Sequence, residues 1–373
     1  MTQDALVAVA RAVFEASGGT PIDPGYVLPA DLPLELSGEA VRARLCVFAD
    51  HRGAEMVMRP DLTLPVAQHE AARLESGENG PRTYTYAAPA FRLPASPDDP
   101  LEFPQVGLER FGHETGPMAD ADLFALVLRA AEACGVRPST IITGDLAIVP
   151  AFIEALDLPA VTADLLKRAF RQEGGMRAVL DAAARPLESE ASAALDAADP
   201  EAALAALLAA RAIPLAGTRS LAEIAAGLRA RRAAIEAGGL TPAARAALLA
   251  LREVDCALKD APATLAALAE THGLTAAAPA LERFAARTAA IFDLAPQAER
   301  RAVFRAGFGR RFTYYDGFVF EVLADGLGPD QHVAAGGRYD GLIASLSGGR
   351  ASATGIGGVV RPDRIIRVRR SAA

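Results

Sequence analysis

The chain of 373 residues has no tryptophan, three cysteines, five histidines and no surplus of basic side chains. Each scarcity removes a class of function. Cys46, Cys134 and Cys256 are far apart and odd in number, so they build neither a disulfide framework nor a zinc site. A reducing, cytoplasmic setting is expected. His51, His69, His113, His272 and His332 show no metal-ligand spacing, and no metal or cofactor is expected. With 46 acidic against 38 basic residues the net charge is -8, the wrong sign for neutralising phosphate backbones, and no nucleic-acid partner is expected. No apolar run reaches the roughly 18 residues of a membrane span. Met1-Thr2-Gln3-Asp4 lacks the basic start and apolar stretch of a signal peptide, so no membrane attachment is expected.

What is present divides into three zones. Residues 1–156 hold β-type runs, short turns and half of the tyrosines; residues 157–296 are rich in Ala and Leu with helical periodicity; residues 297–373 return to aromatics, glycines and strands. This order predicts one α+β domain interrupted by a helical insertion. Within the insertion, Ser220-Leu221-Ala222-Glu223 is a capping box, and Leu221, Ile224, Ala225 and Leu228 follow on one helical face. Thr241-Pro242 marks another helix start. A helix beginning at Thr162, with the stripe Leu165, Leu166, Ala169 and Phe170, is expected to stop at Gly174-Gly175. These stripes read as packing faces.

The strand zones hold the polar residues of interest. Leu45–Phe48 and Glu55–Met58 flank Asp50-His51-Arg52-Gly53 as a hairpin. Thr83–Leu93 and Glu102–Phe111 form a second hairpin, and Thr313–Leu323 with Gln331–Ala335 a third that leads into Gly336-Gly337-Arg338-Tyr339-Asp340. Hairpins imply an antiparallel sheet. Alternation puts Phe103, Gln105, Gly107, Glu109 and Phe111 on one face. Gln105 and Glu109 then bracket a glycine, a polar notch suited to a small zwitterion with a basic side group, or simply an exposed polar face. Arg92 ends the opposing strand, as a carboxylate holder or a solvated arginine. Asp61, in Arg59-Pro60-Asp61-Leu62-Thr63, reads equally as a site carboxylate or a helix N-cap. The Gly336-Gly337 and Gly355-Ile356-Gly357-Gly358 runs permit close backbone approach.

In sequence order, Arg59-Pro60-Asp61-Leu62-Thr63, Phe91-Arg92, Phe103–Gly112, Tyr314–Glu321 and Gly336–Leu342 resemble the catalytic core of histidyl-tRNA synthetases. The resemblance covers residues 10–150 and 300–365 and implies a class II aminoacyl-tRNA synthetase-like antiparallel sheet flanked by helices, normally dimeric. It implies a histidine pocket in which Glu109 faces the imidazole, Gln105 and Thr63 hold the α-amino end and Tyr314 and Tyr315 form an aromatic wall. Asp61 stands where synthetases have Glu. Arg92 matches the arginine on the histidine carboxylate and the ATP α-phosphate, and Arg310 one used in activation.

Several departures separate the chain from synthetases. The loop after Arg92 carries Asp98 and Asp99 where those enzymes have a basic ATP-binding run, and nothing basic in the loop compensates. Arg361-Pro362 replaces part of the third class II motif, with Arg364 nearby. Ten residues from Arg364 to Ala373 follow this motif, so no anticodon-binding domain is expected. The chain is in these respects similar to the regulatory-subunit family of ATP phosphoribosyltransferase. That resemblance implies a non-catalytic partner of a short-form catalytic subunit in the first step of histidine biosynthesis, with L-histidine as effector and a homodimer within a hetero-oligomer. A histidine-activating enzyme or truncated synthetase, and a scaffold that does not sense histidine, are the alternatives.

Overall fold

The computed structural model describes all residues except 38, 96–98, 138, 171–176, 178, 181–188, 214–219, 238–239, 310–312, 329–330 and 372–373. The chain divides into two compact units. The first holds Met1–Ile148, Arg252–Ala267 and Ala278–Ala373; the second holds Val149–Leu251 and Leu268–Ala277.

Twelve strands are found among the described residues: β1 Thr20–Pro21, β2 Val27–Pro29, β3 Val47–Ala49, β4 Glu55–Met58, β5 Arg82–Phe91, β6 Glu102–Phe111, β7 Thr140–Asp145, β8 Asp255–Ala257, β9 Ala302–Arg305, β10 Phe318–Leu323, β11 Ala334–Arg338 and β12 Gly355–Val360. Nine form one sheet in the first unit, ordered β1-β5-β6-β12-β11-β10-β7-β9-β8, and β2-β4-β3 form a small second sheet. The large sheet is antiparallel except where β1 meets β5 and β7 meets β9. The architecture is α+β, a mostly antiparallel sheet with helices packed on it, as expected.

The hairpins form for local reasons. In the β3–β4 turn the Asp50 carboxylate accepts the Arg52 and Ala54 amides at 2.7 and 2.9 Å, and Gly53 takes a φ of 81°. That conformation suits glycine because it has no Cβ. In the long β5–β6 hairpin Tyr84 stands opposite Glu109 and Tyr86 opposite Gly107. Where β1 leaves the edge of β5, the Arg59 Nε–H donates to the Pro89 carbonyl at 2.8 Å. The Pro117–Ala133 helix covers one face of the sheet: Val127 packs over Gly358, and Phe124 meets Phe320 edge to face at 4.9 Å.

Two expectations need correction. The strand expected from Thr313 starts at Phe318 instead. The Asp316 carboxylate accepts the Asp340 and Gly341 amides, and the Asp316 amide donates to the Arg338 carbonyl, so Tyr314–Gly317 turns away from the ladder. The return strand is Ala334–Arg338, so Gly336 and Gly337 lie within it and not after it. Residues 252–267 and 278–296 belong with the strand-rich unit. There β8 pairs with β9, and Phe284 of the Ala278–Leu294 helix packs on Phe304 at 4.8 Å.

The second unit is helical. Its capping box forms as read, with the Glu223 amide donating to Ser220 Oγ at 3.2 Å and the Ser220 amide to Glu223 Oε2 at 2.7 Å. Leu221, Ile224 and Leu228 pack on a small core of Ala194, Leu195, Leu204 and Ala225. Thr241 Oγ1 caps the next helix through the Ala244 amide. The Ala160–Phe170 helix starts two residues before the expected Thr162 and buries Leu166, Ala169 and Phe170. The expected stop at Gly174-Gly175 lies outside the described residues. No helix among the described residues is long and apolar enough to cross a membrane.

Candidate functional site

The site is built on a floor of glycines. Gly357 of β12 faces Glu109 of β6, and Gly337 of β11 faces Gly357. A Cβ on Gly357 would fall on the Glu109 carboxylate. One on Gly337 would lie 2.9 Å from the Tyr315 ring, one on Gly355 2.5 Å from the Tyr339 ring, and one on Gly107 2.8 Å from the Tyr86 hydroxyl. Glycine at these places lets three aromatic rings and a carboxylate lie directly on the sheet. Gly336 and Gly358 turn to the opposite face, against Phe320 and Val127.

Glu109 is at the centre, 1% exposed. Thr63 Oγ1 and the Tyr86 hydroxyl donate to its Oε1, each at 2.8 Å, and the Tyr339 hydroxyl donates to Oε2. Burial pushes its carboxyl up to about 7; the three hydroxyl donors oppose the shift and the charge of Asp61 adds to it. Tyr314, Tyr315 and Tyr339 surround the carboxylate, with ring centroids 4.7–6.0 Å apart.

Asp61 directly precedes Leu62, the N-cap residue of the Thr63–Glu75 helix. Its Oδ1 accepts the Leu64 amide at 3.0 Å, capping the Thr63–Glu75 helix, and its Oδ2 accepts the Tyr314 hydroxyl at 3.2 Å. Burial raises its pKa, while the Leu64 amide and Arg92 lower it. Gln105 Oε1 accepts the Leu62 amide at 3.1 Å, fixing the entry to the same helix. Arg92 is buried; its Nε–H donates to the Pro60 carbonyl at 2.8 Å, and burial, then Arg361, lower its pKa to about 10.

The structure thus brings Asp61, Thr63, Arg92, Gln105, Glu109 and Tyr314 into one buried cluster, with the half-buried Tyr315 at its edge. The exposed-face reading of Gln105 and Glu109 and the solvated reading of Arg92 are both wrong, because the Thr63–Glu75 helix and the tyrosine segment close over this face. Arg310 lies outside the described residues.

On the far side of Arg92 the charges are paired internally. Arg361 stacks over Phe103 at 3.7 Å and forms a two-pronged pair with Asp363 at 3.0 and 2.8 Å. Arg364 Nη1 donates to the His332 carbonyl at 2.8 Å. Asp99 lies 3.7 Å from both Arg44 and Arg367 and accepts from Gln331 Nε2 at 3.3 Å. The compensation for Asp99 sought within its own loop comes instead from elements distant in sequence. Asp98 lies outside the described residues.

Sequence reasoning did not assign Tyr86 and Tyr339 as donors to Glu109. The available signals were the alternation of β5, which sets Tyr86 over Gly107, and the glycines at 337, 355 and 357, which let the tyrosine rings and the carboxylate lie against the backbone. Among the described residues no group of His, Cys, Asp or Glu could hold a metal ion.

Comparison with known proteins places this geometry in context. The family model of histidyl-tRNA synthetase matches residues 2–238 and 176–361. The ATP phosphoribosyltransferase regulatory subunit of Chelativorans sp. (strain BNC1) is 35% identical over 363 residues, covering 93% of this chain and 92% of that protein. The protein of the same name from Allorhizobium ampelinum is 32% identical over 362 residues, covering 94% of each. Among solved structures, an ATP phosphoribosyltransferase regulatory subunit/histidyl-tRNA synthetase from Bacillus halodurans superposes with a TM-score of 0.63 at 18% identity, covering 98% of this chain and 78% of that one. A histidine–tRNA ligase subunit from Alicyclobacillus acidocaldarius gives 0.59 at 23% identity, covering 99% and 93%. These two share the fold.

Proposed function

The chain belongs to the ATP phosphoribosyltransferase regulatory subunit family, and from this premise we propose that it serves histidine biosynthesis as a non-catalytic, histidine-sensing partner of a short-form catalytic subunit. The observation that carries the reading is the buried Glu109 carboxylate within its tyrosine wall, beside arginines already committed to Asp363, Asp99 and backbone carbonyls. An imidazole N–H needs an acceptor, and a carboxyl near 7 is matched to an imidazole whose ordinary value is about 6.5. Arg92 and Asp61, at the other end of the cluster, bear the charges that oppose a ligand's carboxylate and ammonium.

Regulation then follows from differential affinity. Histidine shifts the complex between active and inhibited states to the extent that it binds one state better. The chain is proposed to act as a homodimer within the hetero-oligomer.

The experiment mixes the purified chain with a short-form catalytic subunit and follows phosphoribosyl-ATP formation with and without histidine. Activation by the chain and inhibition by histidine are expected. Glu109→Ala is expected to keep activation and to weaken histidine binding by calorimetry at least about tenfold, the loss of a charged hydrogen-bond partner. Feedback unchanged in that variant would assign the sensor elsewhere. Arg92 beside Asp61 favours one other reading, a histidine-activating enzyme, which histidine-dependent exchange of pyrophosphate into ATP would reveal.

A further inference from the structure

We propose that Asp120 is a positioning residue that links the Glu109 pocket to the Ala278–Leu294 helix and the end of β7, through the buried ion-paired series Arg338–Asp120–Arg287–Asp145. The inference rests on the reading of the pocket as a histidine site and adds how its occupancy is passed on.

The series begins at the tyrosine wall. The Tyr339 hydroxyl donates to Oε2 of Glu109, so an imidazole N–H that takes the remaining lone pair of this oxygen lies against the Tyr339 side chain and shifts it. Tyr339 directly follows Arg338, whose Nε donates to Asp120 Oδ1 at 2.7 Å and whose Nη1 donates to Asp340 at 2.9 Å. The segment bearing Tyr314 and Tyr315 is tied to the same point. The Asp316 amide donates to the Arg338 carbonyl at 3.1 Å, and Asp316 Oδ1 and Oδ2 accept the Asp340 and Gly341 amides at 3.0 and 2.7 Å. Both parts of the wall are therefore pinned around Arg338.

Asp120 shares its second oxygen with another element. Arg287 Nη1 donates to Asp120 Oδ2 at 3.3 Å, and Arg287 Nη2 donates to Asp145 Oδ2. Phe318 lies 4.8 Å beneath the Arg287 guanidinium and fixes its plane. All four residues are at most 8% exposed. A buried charge that loses its partner is strongly penalised, so movement at one end is resisted or transmitted, and not absorbed. The series also ends at a junction. The chain enters the second unit after Ile148, just beyond Asp145, and returns from it at Ala278, the first residue of the helix that carries Arg287. A displacement of Arg338 thus reaches two of the points where the chain passes between units.

Hydrogen exchange of the full chain with and without histidine tests the proposal. Histidine is expected to slow exchange at 314–317 and 338–341, and also at 278–294 and 140–148. In Arg287→Gln, which alters no pocket residue, histidine affinity should stay within about threefold while the change at 278–294 disappears. In the complex with the catalytic subunit, maximal inhibition by histidine should fall by about half or more. If that variant does not fold, Arg287→Lys keeps the charge but cannot span two carboxylates, and it should show the same loss. Wild-type exchange changes confined to the pocket, or a folded Arg287 variant with full transmission, would overturn the relay while leaving the histidine site standing. Absence of histidine binding to the wild type, or binding unchanged by Glu109→Ala, would overturn both.

Discussion

Glu109 carries a cost in the ligand-free protein. Its carboxyl titrates near 7 when folded against an ordinary 4.5, so the folded chain holds this proton more tightly than the unfolded chain. Below about 4.5 both states are protonated and nothing is lost. Between about 4.5 and 7 the unfolded chain ionises while the folded chain keeps its proton, and stability falls across that window by about 3 kcal/mol at 1.36 kcal/mol per pKa unit; above 7 both states are ionised and the loss is complete. Glu109→Gln removes the titration. Urea midpoints at pH 5 and pH 8 should show the wild type losing on the order of 3 kcal/mol that the variant does not lose. Parallel pH dependence in the two proteins would mean that the carboxylate is better solvated than its burial implies.

At the scale of elements, β12 shows how backbone chemistry makes space for side-chain chemistry. Gly357 stands opposite Glu109, and the Tyr339 ring lies over Gly355. Gly357→Ala has no free volume to enter, since its Cβ would coincide with the carboxylate. Overpacking of this kind typically costs about 1–3 kcal/mol. The variant is expected to lose that much by denaturant titration and to lose histidine binding by calorimetry, because Glu109 must leave its three hydroxyl partners. Retained affinity would show that the carboxylate is not the recognition group. Gly227, with open space around its missing Cβ, is the control position.

At the scale of the whole molecule, the two units carry different optical reporters. The chain has six tyrosines and no tryptophan, and Tyr26, Tyr84, Tyr86, Tyr314, Tyr315 and Tyr339 all belong to the first unit. Tyrosine fluorescence therefore follows that unit alone, whereas far-ultraviolet circular dichroism follows helices in both. Histidine at a hundred times its dissociation constant should stabilise the unit that binds it by about 2.7 kcal/mol. The tyrosine melting transition should move up by roughly 5–10 °C for a unit of this size. A tyrosine transition indifferent to histidine, at a concentration that saturates by calorimetry, would place the binding site outside the first unit.

The sequence alone determined the pieces whose cause is local. The Asp50–Gly53 turn and the Ser220–Glu223 capping box depend on residues within a few positions, and the β5–β6 hairpin pairs two strands that follow one another in the chain, so each is legible from a continuous stretch. The order of the Arg59–Thr63, Phe103–Gly112, Tyr314–Glu321 and Gly336–Leu342 segments was enough to mark the fold and to single out most of the residues that the structure gathers around Glu109. Tertiary structure decided what long-range contacts settle. It buried Gln105 and Glu109, which strand alternation alone left on either face of exposure, and it gave Glu109 the Tyr86 and Tyr339 hydroxyls. It started β10 at Phe318, where a propensity reading continues back through the tyrosines, because Asp316 answers to amides on another strand. It paired Asp99 with Arg44 and Arg367, and Asp120 with Arg287 and Arg338. Charges far apart in sequence carry no signature of their partners, since the sheet that brings them together forms from contacts that no local window contains.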